Sequence, residues 1–251
     1  MQRIPRLLLI IDGMGDRPII ELGGKTPLQA ANLPVLDQLA NEGQCGIADP
    51  VKPGIVATTV LGTLAILGYD PLNNSVARGV VEALGCGMEI KPGDVAFRGN
   101  WATLDEKGII VDRRAGRIRE DTKELSASLC GVKIDDVYVN VGAGTEHRVA
   151  VVIRGVGLKD CISGSDPGDH FSSGIKPRHA VPLNKNDKKS LRTAKLLNLF
   201  ELEARQILST HPVNLERLSK QLLPANAILT REPGQVHIFP KIKRPSGYGL
   251  S

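Results

Sequence analysis

Aromatic side chains are scarce in this sequence of 251 residues. Phe, Trp and Tyr together make up 3% of it, and no run of Lys and Arg alternates with aromatic residues. Proteins that bind single-stranded nucleic acids stack the bases on such rings. We therefore expect no nucleic-acid partner. The net charge of +5 and the pI near 9.1 suit anionic metabolites or no particular partner.

Long apolar runs and cysteine motifs are absent as well. The longest apolar run near the start, Leu7 to Ile11, is far shorter than the roughly 20 residues of a membrane span, and no signal-peptide cleavage pattern follows it. The 4 cysteines contain no CxxC, so we predict neither a zinc site nor a disulfide framework. We expect a cytoplasmic chain with reduced thiols, no membrane partner and enough residues to bury a core.

The first 50 residues read as a strand, a loop and two short helices. The run that ends at Ile11 is followed by Asp12 and two glycines, which predicts a buried parallel strand with Asp12 at its carboxyl end. Ligands bind at that end of open α/β sheets, although Asp12 could equally be a turn or cap residue. Thr26-Pro27 begins one helix, and a second runs from Pro34 to Gly43.

A further helix is predicted between Ile55 and Leu67. Thr58 or Thr59 would lie at its N-terminus, where free backbone N–H groups favour an anion and could activate a hydroxyl. The alternative is that Thr58 is a simple N-cap.

The middle of the chain changes to short strands. They are predicted at residues 95–103, 109–112, 137–140 and 148–153, with a hairpin turn at 105–108. This segment reads as a separate α+β insert. A long helix, Ser190 to Leu208, follows it, and the last twenty residues contain no recognisable element.

Basic and polar side chains concentrate at the strand ends of this insert. They are Arg98, Asn100, Asp112, Arg113, Arg114, Arg117, Glu146, His147 and Arg148. Several converging arginines would form a pocket for phosphate or carboxylate, and the alternative is a solvated face. Neighbouring Arg113 and Arg114 should point to opposite sides, so at most one of them faces a given ligand.

Metal ligands are few in the sequence. Asp12 is the best single candidate, and Asp166 with His170 forms a second small group. No HxxxH or HxH pair appears, and His179, His211 and His237 receive no role. The sequence shows no clamp of several carboxylates and imidazoles for two metal ions.

Several colinear motifs resemble the archaeal-type 2,3-bisphosphoglycerate-independent phosphoglycerate mutases, members of the alkaline phosphatase superfamily. The motifs are Ile11-Asp12-Gly-Met-Gly-Asp16-Arg-Pro, Glu21-Leu-Gly-Gly-Lys-Thr-Pro-Leu28, Leu64-Ala-Ile-Leu-Gly-Tyr-Asp-Pro71, Ala77-Arg-Gly79, Lys91-Pro-Gly-Asp94, Ala96-Phe-Arg98, Asp112-Arg-Arg-Ala-Gly-Arg117-Ile, Thr145-Glu-His-Arg148, His211-Pro-Val-Asn214 and Tyr248-Gly-Leu250. The resemblance spreads over the whole chain.

The resemblance implies an α/β fold. A partial alkaline-phosphatase-like parallel-sheet domain (residues 1–78) would be interrupted by a smaller α+β substrate-binding domain (79–185), and residues 186–251 would return to the first domain. The implied activity is that of an isomerase that interconverts 2-phosphoglycerate and 3-phosphoglycerate in glycolysis and gluconeogenesis. A serine nucleophile and two divalent metal ions (Mn, Mg or Zn) would move the phosphoryl group.

The resemblance also assigns site residues. Asp12 matches the first metal-binding aspartate, and Thr59 stands at the position of the nucleophilic, metal-bound serine. The substrate phosphoglycerate would be held by residues of the insert: Arg98, Asn100, Asp112, Arg113, Arg114, Arg117, His147 and Arg148.

The chain departs from the family pattern in three places. The usual Gly-Ser-Asp-Thr-Ala-His is replaced by Thr58-Thr59-Val60-Leu61-Gly62-Thr63, and a family Asp-Pro-His reads Asp166-Pro167-Gly168. The chain also covers little more than half of a family member, without the half that carries most metal ligands. We expect the first domain to expose apolar surface that self-association or a partner chain would cover.

Three functions stay open from the sequence. The first is a phosphoglycerate mutase with Thr59 as phosphoryl acceptor. The second is a catalytically inactive relative that acts as a phosphate-ester-binding or partner subunit, because loss of the metal clamp should remove many powers of ten in rate. The third is a metal-dependent phosphohydrolase.

Overall fold

The structure, a computed structural model, describes residues 7–11, 13–74, 76–168 and 173–236. Asp12, His170, His237 and the motif at 248–250 lie outside the described residues. The chain divides into two compact units, Met1–Asp49 and Pro50–Ser251. The domain boundaries expected at 78/79 and 185/186 stay predictions.

The first unit contains a 3-10 turn, Ile20–Leu22, and two helices, α1 (Pro27–Ala30) and α2 (Pro34–Glu42). Thr26 caps α1 reciprocally: its hydroxyl accepts from Gln29 N at 3.2 Å, and its own N–H donates to Gln29 Oε1 at 2.9 Å. Both predicted helix starts are confirmed, and α2 ends before Gly43 as predicted.

The predicted strand at Leu7–Ile11 is wrong for this structure. These residues form no strand, and their exposure runs from 89% at Leu7 to 48% at Ile11. A parallel strand is buried only when neighbouring strands pair with it and helices cover its faces, and no described residue pairs with this segment. None of the described residues of the first unit is buried, so apolar surface is exposed there as expected.

The second unit begins with two helices and then alternates strands with helices. The helices are α3 (Thr59–Ile66), α4 (Arg78–Gly85), α5 (Thr122–Leu129), α6 (Lys188–Ser209) and α7 (Pro212–Ser219). The strands are β1 (Val95–Leu104), β2 (Ile110–Asp112), β3 (Val132–Ile134), β4 (Val137–Ala143), β5 (Arg148–Arg154) and β6 (Ala227–Gly234). The four predicted strands, the hairpin turn at 105–108 and the helices now labelled α3 and α6 are confirmed.

The described strands form one antiparallel sheet. Its order is β2-β1-β5-β4-β3, and β6 pairs with β1 as well. The broad expectation of a mixed α/β fold is confirmed, whereas the described residues contain no parallel pairing. Strands joined by short turns pair antiparallel, since a parallel pair needs a long crossover. Strand β6 was missed, although Ala227–Thr230 is a short apolar run of strand type.

The two faces of the sheet bury different side chains. On one face, Phe97 and Trp101 of β1 pack with Phe200 of α6 in the main core. On the other face, Ala96 packs with Val80 of α4 in a smaller apolar cluster. Because successive strand residues point to opposite faces, Arg98 and Asn100 lie on the α4 side.

None of the helices in the described part of the chain is long and apolar enough to cross a membrane.

Candidate functional site

The candidate site lies on the α4 face of the sheet, where three strands bring polar side chains together. In the strand register, Arg98 of β1 lies opposite Arg231 of β6, and Asn100 of β1 lies opposite Arg148 of β5. Directly opposed side chains of antiparallel strands project from the same face. The sheet therefore gathers residues that are far apart in the sequence.

Arg98 lies at the centre of this group and is almost fully buried. Its Nε is 3.1 Å from Glu82 Oε2 of α4, and its Nη1 is 3.4 Å from Glu232 Oε2 of β6. The Nε contact is an ion pair without hydrogen-bond geometry. Arg78 of α4 also contacts Glu232, at 3.1 Å. Two carboxylates thus hold Arg98 in place, because a buried charge needs compensating partners.

Arg148 is, with Arg78, one of two well-exposed guanidinium groups beside Arg98. Its side chain is 43% exposed, and its one ion pair with a described residue is long, 3.9 Å from Nη1 to Glu82 Oε2. Burial and the nearby positive charge of Arg98 lower the pKa of Arg148, and Arg231 and Arg78 contribute in the same direction. Part of this lowering therefore comes from the positive charges gathered at this point of the sheet.

Asp166 binds the other arginines of the group. Arg113 donates to both of its oxygens, at 2.7 and 2.6 Å, and Gly168 N donates at 3.0 Å. Arg231 also contacts Asp166, and the amide oxygen of Asn100 lies 3.2 Å from Arg231 Nη1 when that amide is oriented to satisfy both its atoms. Burial raises the pKa of Asp166, but the hydrogen bonds and charges of its partners outweigh burial and lower it overall.

These residues form two groups of ion pairs, which the pairing of Arg98 with Arg231 in the strand register places side by side. We term the two groups together the arginine cluster. Among the described residues it contains five arginines against three carboxylates: Arg78, Arg98, Arg113, Arg148 and Arg231, with Glu82, Asp166 and Glu232. These eight side chains together carry a net charge of +2. Guanidinium groups offer planar donor pairs that match phosphate and carboxylate oxygens, so the cluster is suited to a small anion.

His147 lies beside the cluster, at the start of β5. Its side chain is 12% exposed, and Nδ1, 3.9 Å from Glu146 Oε2, has no hydrogen-bond partner within the described part of the chain. Burial and the positive charges of Arg114, Arg148 and Arg117 lower the pKa of His147 to about 4, against the opposing effect of Glu146. The imidazole is therefore neutral at pH 7 and surrounded by cations.

The turn after β2 places the remaining predicted residues. Asp112 Oδ1 accepts from Arg114 N at 2.6 Å, and Arg117 N donates to Arg114 O at 2.9 Å. Arg117 has a positive φ of 56°, and its side chain is exposed. Arg114 and Arg117 both act electrostatically on His147, so the turn adds to the positive potential beside the cluster.

Thr58 and Thr59 begin α3. Thr58 is the N-cap, and its hydroxyl accepts from Leu61 N at 3.4 Å, which confirms the N-cap alternative for this residue. Thr59 is the first helical residue and is exposed. No described contact tests its predicted role as nucleophile.

The predicted metal site has no counterpart among the described residues. They contain no group of three or more His, Cys, Asp or Glu side chains that could hold a metal ion. Asp12 and His170 lie outside the described residues. The carboxylate of Asp166 already accepts hydrogen bonds from Arg113 and Gly168 and contacts Arg231. The described donor set therefore does not fit the two-metal group that the resemblance implies.

Sequence reasoning missed four members of the cluster. Arg78 lies in the motif Ala77-Arg-Gly79, to which no role was assigned. Glu82 follows Arg78 by four residues, a spacing that places both on one face of a helix, but their partners Glu232 and Arg98 lie on strands. Arg231 and Glu232 lie in the strand that was missed. Asp166 was noticed, but as a metal ligand.

Comparison with known proteins decides the family. The sequence model of the 2,3-bisphosphoglycerate-independent phosphoglycerate mutases matches residues 40–214. The chain belongs to this family. It is 48% identical to the 2,3-bisphosphoglycerate-independent phosphoglycerate mutase of Picrophilus torridus over 92% of the chain and 55% of the relative. With enzyme 1 of that name from Archaeoglobus fulgidus it shares 46% identity over 98% of the chain and 60% of the relative.

Solved structures of relatives share the mixed α/β fold. The cofactor-independent phosphoglycerate mutase of Thermoplasma acidophilum matches with a TM-score of 0.64 and 41% identity, over 93% of this chain and 60% of that one. A protein from Pyrococcus horikoshii matches with a TM-score of 0.65 and 30% identity, over 89% of this chain and 49% of that one. The chain thus spans little more than half the length of the family members it resembles.

Proposed function

We propose that this chain binds phosphoglycerate and acts in the interconversion of 2-phosphoglycerate and 3-phosphoglycerate. The observation that carries the proposal is the arginine cluster, with five guanidinium groups against three carboxylates in a chain of this family. The substrate carries both a phosphate and a carboxylate, and phosphoryl transfer depends largely on positioning and neutralising such charge.

Exposure divides the predicted substrate residues into two groups. Arg98 and Arg113 are buried and already paired with carboxylates, so we assign them the role of holding the cluster in place. Arg148, Arg114 and Arg117 have more accessible side chains, and we assign substrate contact to them. Asn100 positions Arg231, and Asp112 positions the turn after β2.

His147 is assigned a contact with the anion. A neutral imidazole can donate one hydrogen bond, and a bound phosphate would offset the arginines that keep its pKa low. Substrate binding is then expected to raise the pKa of His147 towards its ordinary value.

The remaining elements of the proposal come from the family resemblance. They are the two divalent ions, a metal-binding role for Asp12 and Thr59, an alkaline-phosphatase-like arrangement of the larger domain, and a glycolytic role in the cytoplasm. We derive no reaction step through the metals, since the described residues do not form their site. A partner chain or a second copy would cover the apolar surface of the first unit.

Calorimetric titration with 3-phosphoglycerate tests the binding part. Arg148→Gln should weaken binding by about tenfold or more, as expected when one charge-assisted contact is lost. Arg192→Gln is the matched control, because Arg192 of α6 pairs with Asp136 at a separate surface position. Equal affinities of the two variants for 3-phosphoglycerate would show that Arg148 does not contact the substrate.

An enolase-coupled assay with manganese tests the mutase activity. Formation of 2-phosphoglycerate from 3-phosphoglycerate is expected, and Thr59→Ser should raise the rate while Thr59→Ala abolishes it, because the threonine methyl crowds attack. Binding without turnover would instead identify a phosphate-ester-binding subunit. Phosphate release from p-nitrophenyl phosphate would identify a phosphohydrolase.

A further inference from the structure

A second basic pocket lies apart from the arginine cluster and shares no residue with it. It is a cavity of about 280 Å³ between the β1–β2 hairpin turn, the segment at 176–179 and helix α6. This volume is close to the lower end of the range for small-molecule sites.

Four cationic side chains contribute to the lining of this pocket, beside apolar residues of β1, β6 and α6. Lys107, Lys176, Arg178 and Arg205 line it together with His179, and Glu201 is the single acidic residue of the lining. None of the described residues forms an ion pair with Lys107, Lys176 or Arg178. Three cations thus converge on one concave space without described anionic partners, which raises the local potential for an anion.

Glu201 offsets only part of this charge. Its Oε1 accepts from Ser165 Oγ at 2.6 Å and from Thr230 Oγ1 at 2.7 Å. Burial raises the pKa of Glu201 to about 7, and the two hydroxyl groups only partly oppose this effect. Near neutral pH the carboxyl is therefore partly protonated, and an anion in the pocket would favour protonation further.

The walls of the pocket are fixed by hydrogen bonds that need no ligand. Asn198 of α6 accepts from Ala180 N and donates to Ala180 O, both at 2.9 Å, which anchors the segment that carries Arg178. Arg205 donates to Asp105 O at 2.6 Å. A Cβ on Gly108 would lie 3.0 Å from Arg205 Nη1, and Gly108 has a φ of +76°, so glycine suits both the turn and the approach of this arginine.

We propose that this pocket is a second anion site, which takes a small ligand bearing a phosphate dianion and is distinct from the site proposed for phosphoglycerate. Four cations from three chain segments match such a charge, and the arginines add paired donors. The proposal does not depend on mutase activity.

The pocket is also connected to the arginine cluster by two pairs of adjacent residues. Ser165 binds Glu201 while Asp166 binds Arg113, and Thr230 binds Glu201 while Arg231 binds Asp166. The two sites are therefore neighbours through these side chains, although they share no residue.

The test is a titration of the full chain, labelled with nitrogen-15, with inorganic phosphate and separately with glycerol phosphate. The backbone amides of Arg178, Asn198 and Leu202 should shift in the wild type and equally in Arg148→Gln, the matched control in the arginine cluster. In the double variant Lys176→Ala/Arg178→Ala, the affinity at these amides should fall by about tenfold or more. Both substituted side chains are exposed, so the fold should be retained.

The two probes distinguish the sources of the phosphate group. Tighter binding of glycerol phosphate indicates a phosphate ester as ligand, and tighter binding of inorganic phosphate indicates the free ion; either result supports the proposal. Unshifted amides at millimolar concentrations of both probes would overturn it. So would an unchanged affinity in the double variant, or equal shifts with chloride at the same ionic strength.

Discussion

At the scale of single residues, the second unit holds two titratable side chains whose pKa values are shifted in opposite directions. His147 is kept neutral by burial and neighbouring arginines, so its folded pKa of about 4 lies below its ordinary value of 6.5. Its contribution to stability is lost as the pH falls from about 6.5 through 4. Glu201 has a raised folded pKa of about 7, so its contribution is lost as the pH rises from about 4.5 through 7.

The titration of His147 should report the charge of the arginine cluster. In Arg148→Gln the pKa of His147 should rise, because one of the cations that lower it is lost. Arg192→Gln should leave it at the wild-type value. Proton NMR of the imidazole over pH 3–8 measures both, and identical titration curves for wild type and Arg148→Gln would contradict the electrostatic account.

Substitution of Glu201 should change how stability depends on pH. Between pH 5 and 8, the wild type should lose about 2 kcal/mol more free energy of unfolding than Glu201→Gln, since only the wild type must ionise a buried carboxyl. Urea unfolding at the two pH values measures the difference. Glu203→Gln, an exposed neighbour on α6, should behave as the wild type, and a Glu201→Gln profile parallel to the wild type would refute the prediction.

At the scale of elements, helix α4 is placed by its close approach to the sheet. A Cβ on Gly79 would clash with Ala96 O of β1 and lie 2.7 Å from Glu232 O of β6. The same helix carries Arg78 and Glu82, which form ion pairs with Glu232 and Arg98. The glycine therefore sets the distance at which these pairs of the arginine cluster can form.

Gly79→Ala should destabilise the chain by about 1–3 kcal/mol, because the helix must move away from the strands. It should also weaken binding of 3-phosphoglycerate, because Glu82 moves with the helix. Gly85→Ala is the matched control on α4: nothing lies within 4 Å of a Cβ there, and alanine should stabilise by up to about 1 kcal/mol. Thermal unfolding and calorimetry check both variants, and a neutral Gly79→Ala would contradict this packing.

At the scale of the whole molecule, the two units differ in what they bury. The second unit has a continuous core on one face of its sheet. The first unit exposes most of its large apolar side chains, including Ile20 at 91%, Val35 at 68% and Leu39 at 60%. Exposed apolar surface of this kind marks an interaction site or an aggregation liability, so the behaviour of the chain in solution should depend on the first unit.

Hydrogen exchange should show this difference along the chain. Amides of Leu7–Ile11 should exchange at nearly unprotected rates, because no described backbone acceptor bonds them, whereas those of β1 and β5 should be strongly protected. Mass spectrometry of peptides at several chain concentrations measures both. Protection of Leu7–Ile11 equal to that of β1 at low concentration would contradict the exposed conformation.

Local patterns in the sequence were sufficient to predict many elements. The strands of the insert, the N-caps Thr26 and Thr58 and the long helix α6 follow from turn residues, capping chemistry and apolar periodicity. Leu7–Ile11 was read wrongly because an apolar run has strand character only where partners cover it. Strand β6 was missed because its apolar run is short and ends at Glu232-Pro233.

The sequence by itself determined the family, the class of fold and the excess of arginines, because motifs, periodicity and charge are properties of the chain as written. Only the tertiary structure decided how those charges are used. Asp166 pairs with Arg113 and Arg231 rather than forming a described metal group, and Arg98 is enclosed by Glu82 and Glu232. Arg98 and Glu232 lie 134 residues apart in the sequence. The distances between such partners follow from strand register and helix packing, which no local pattern specifies.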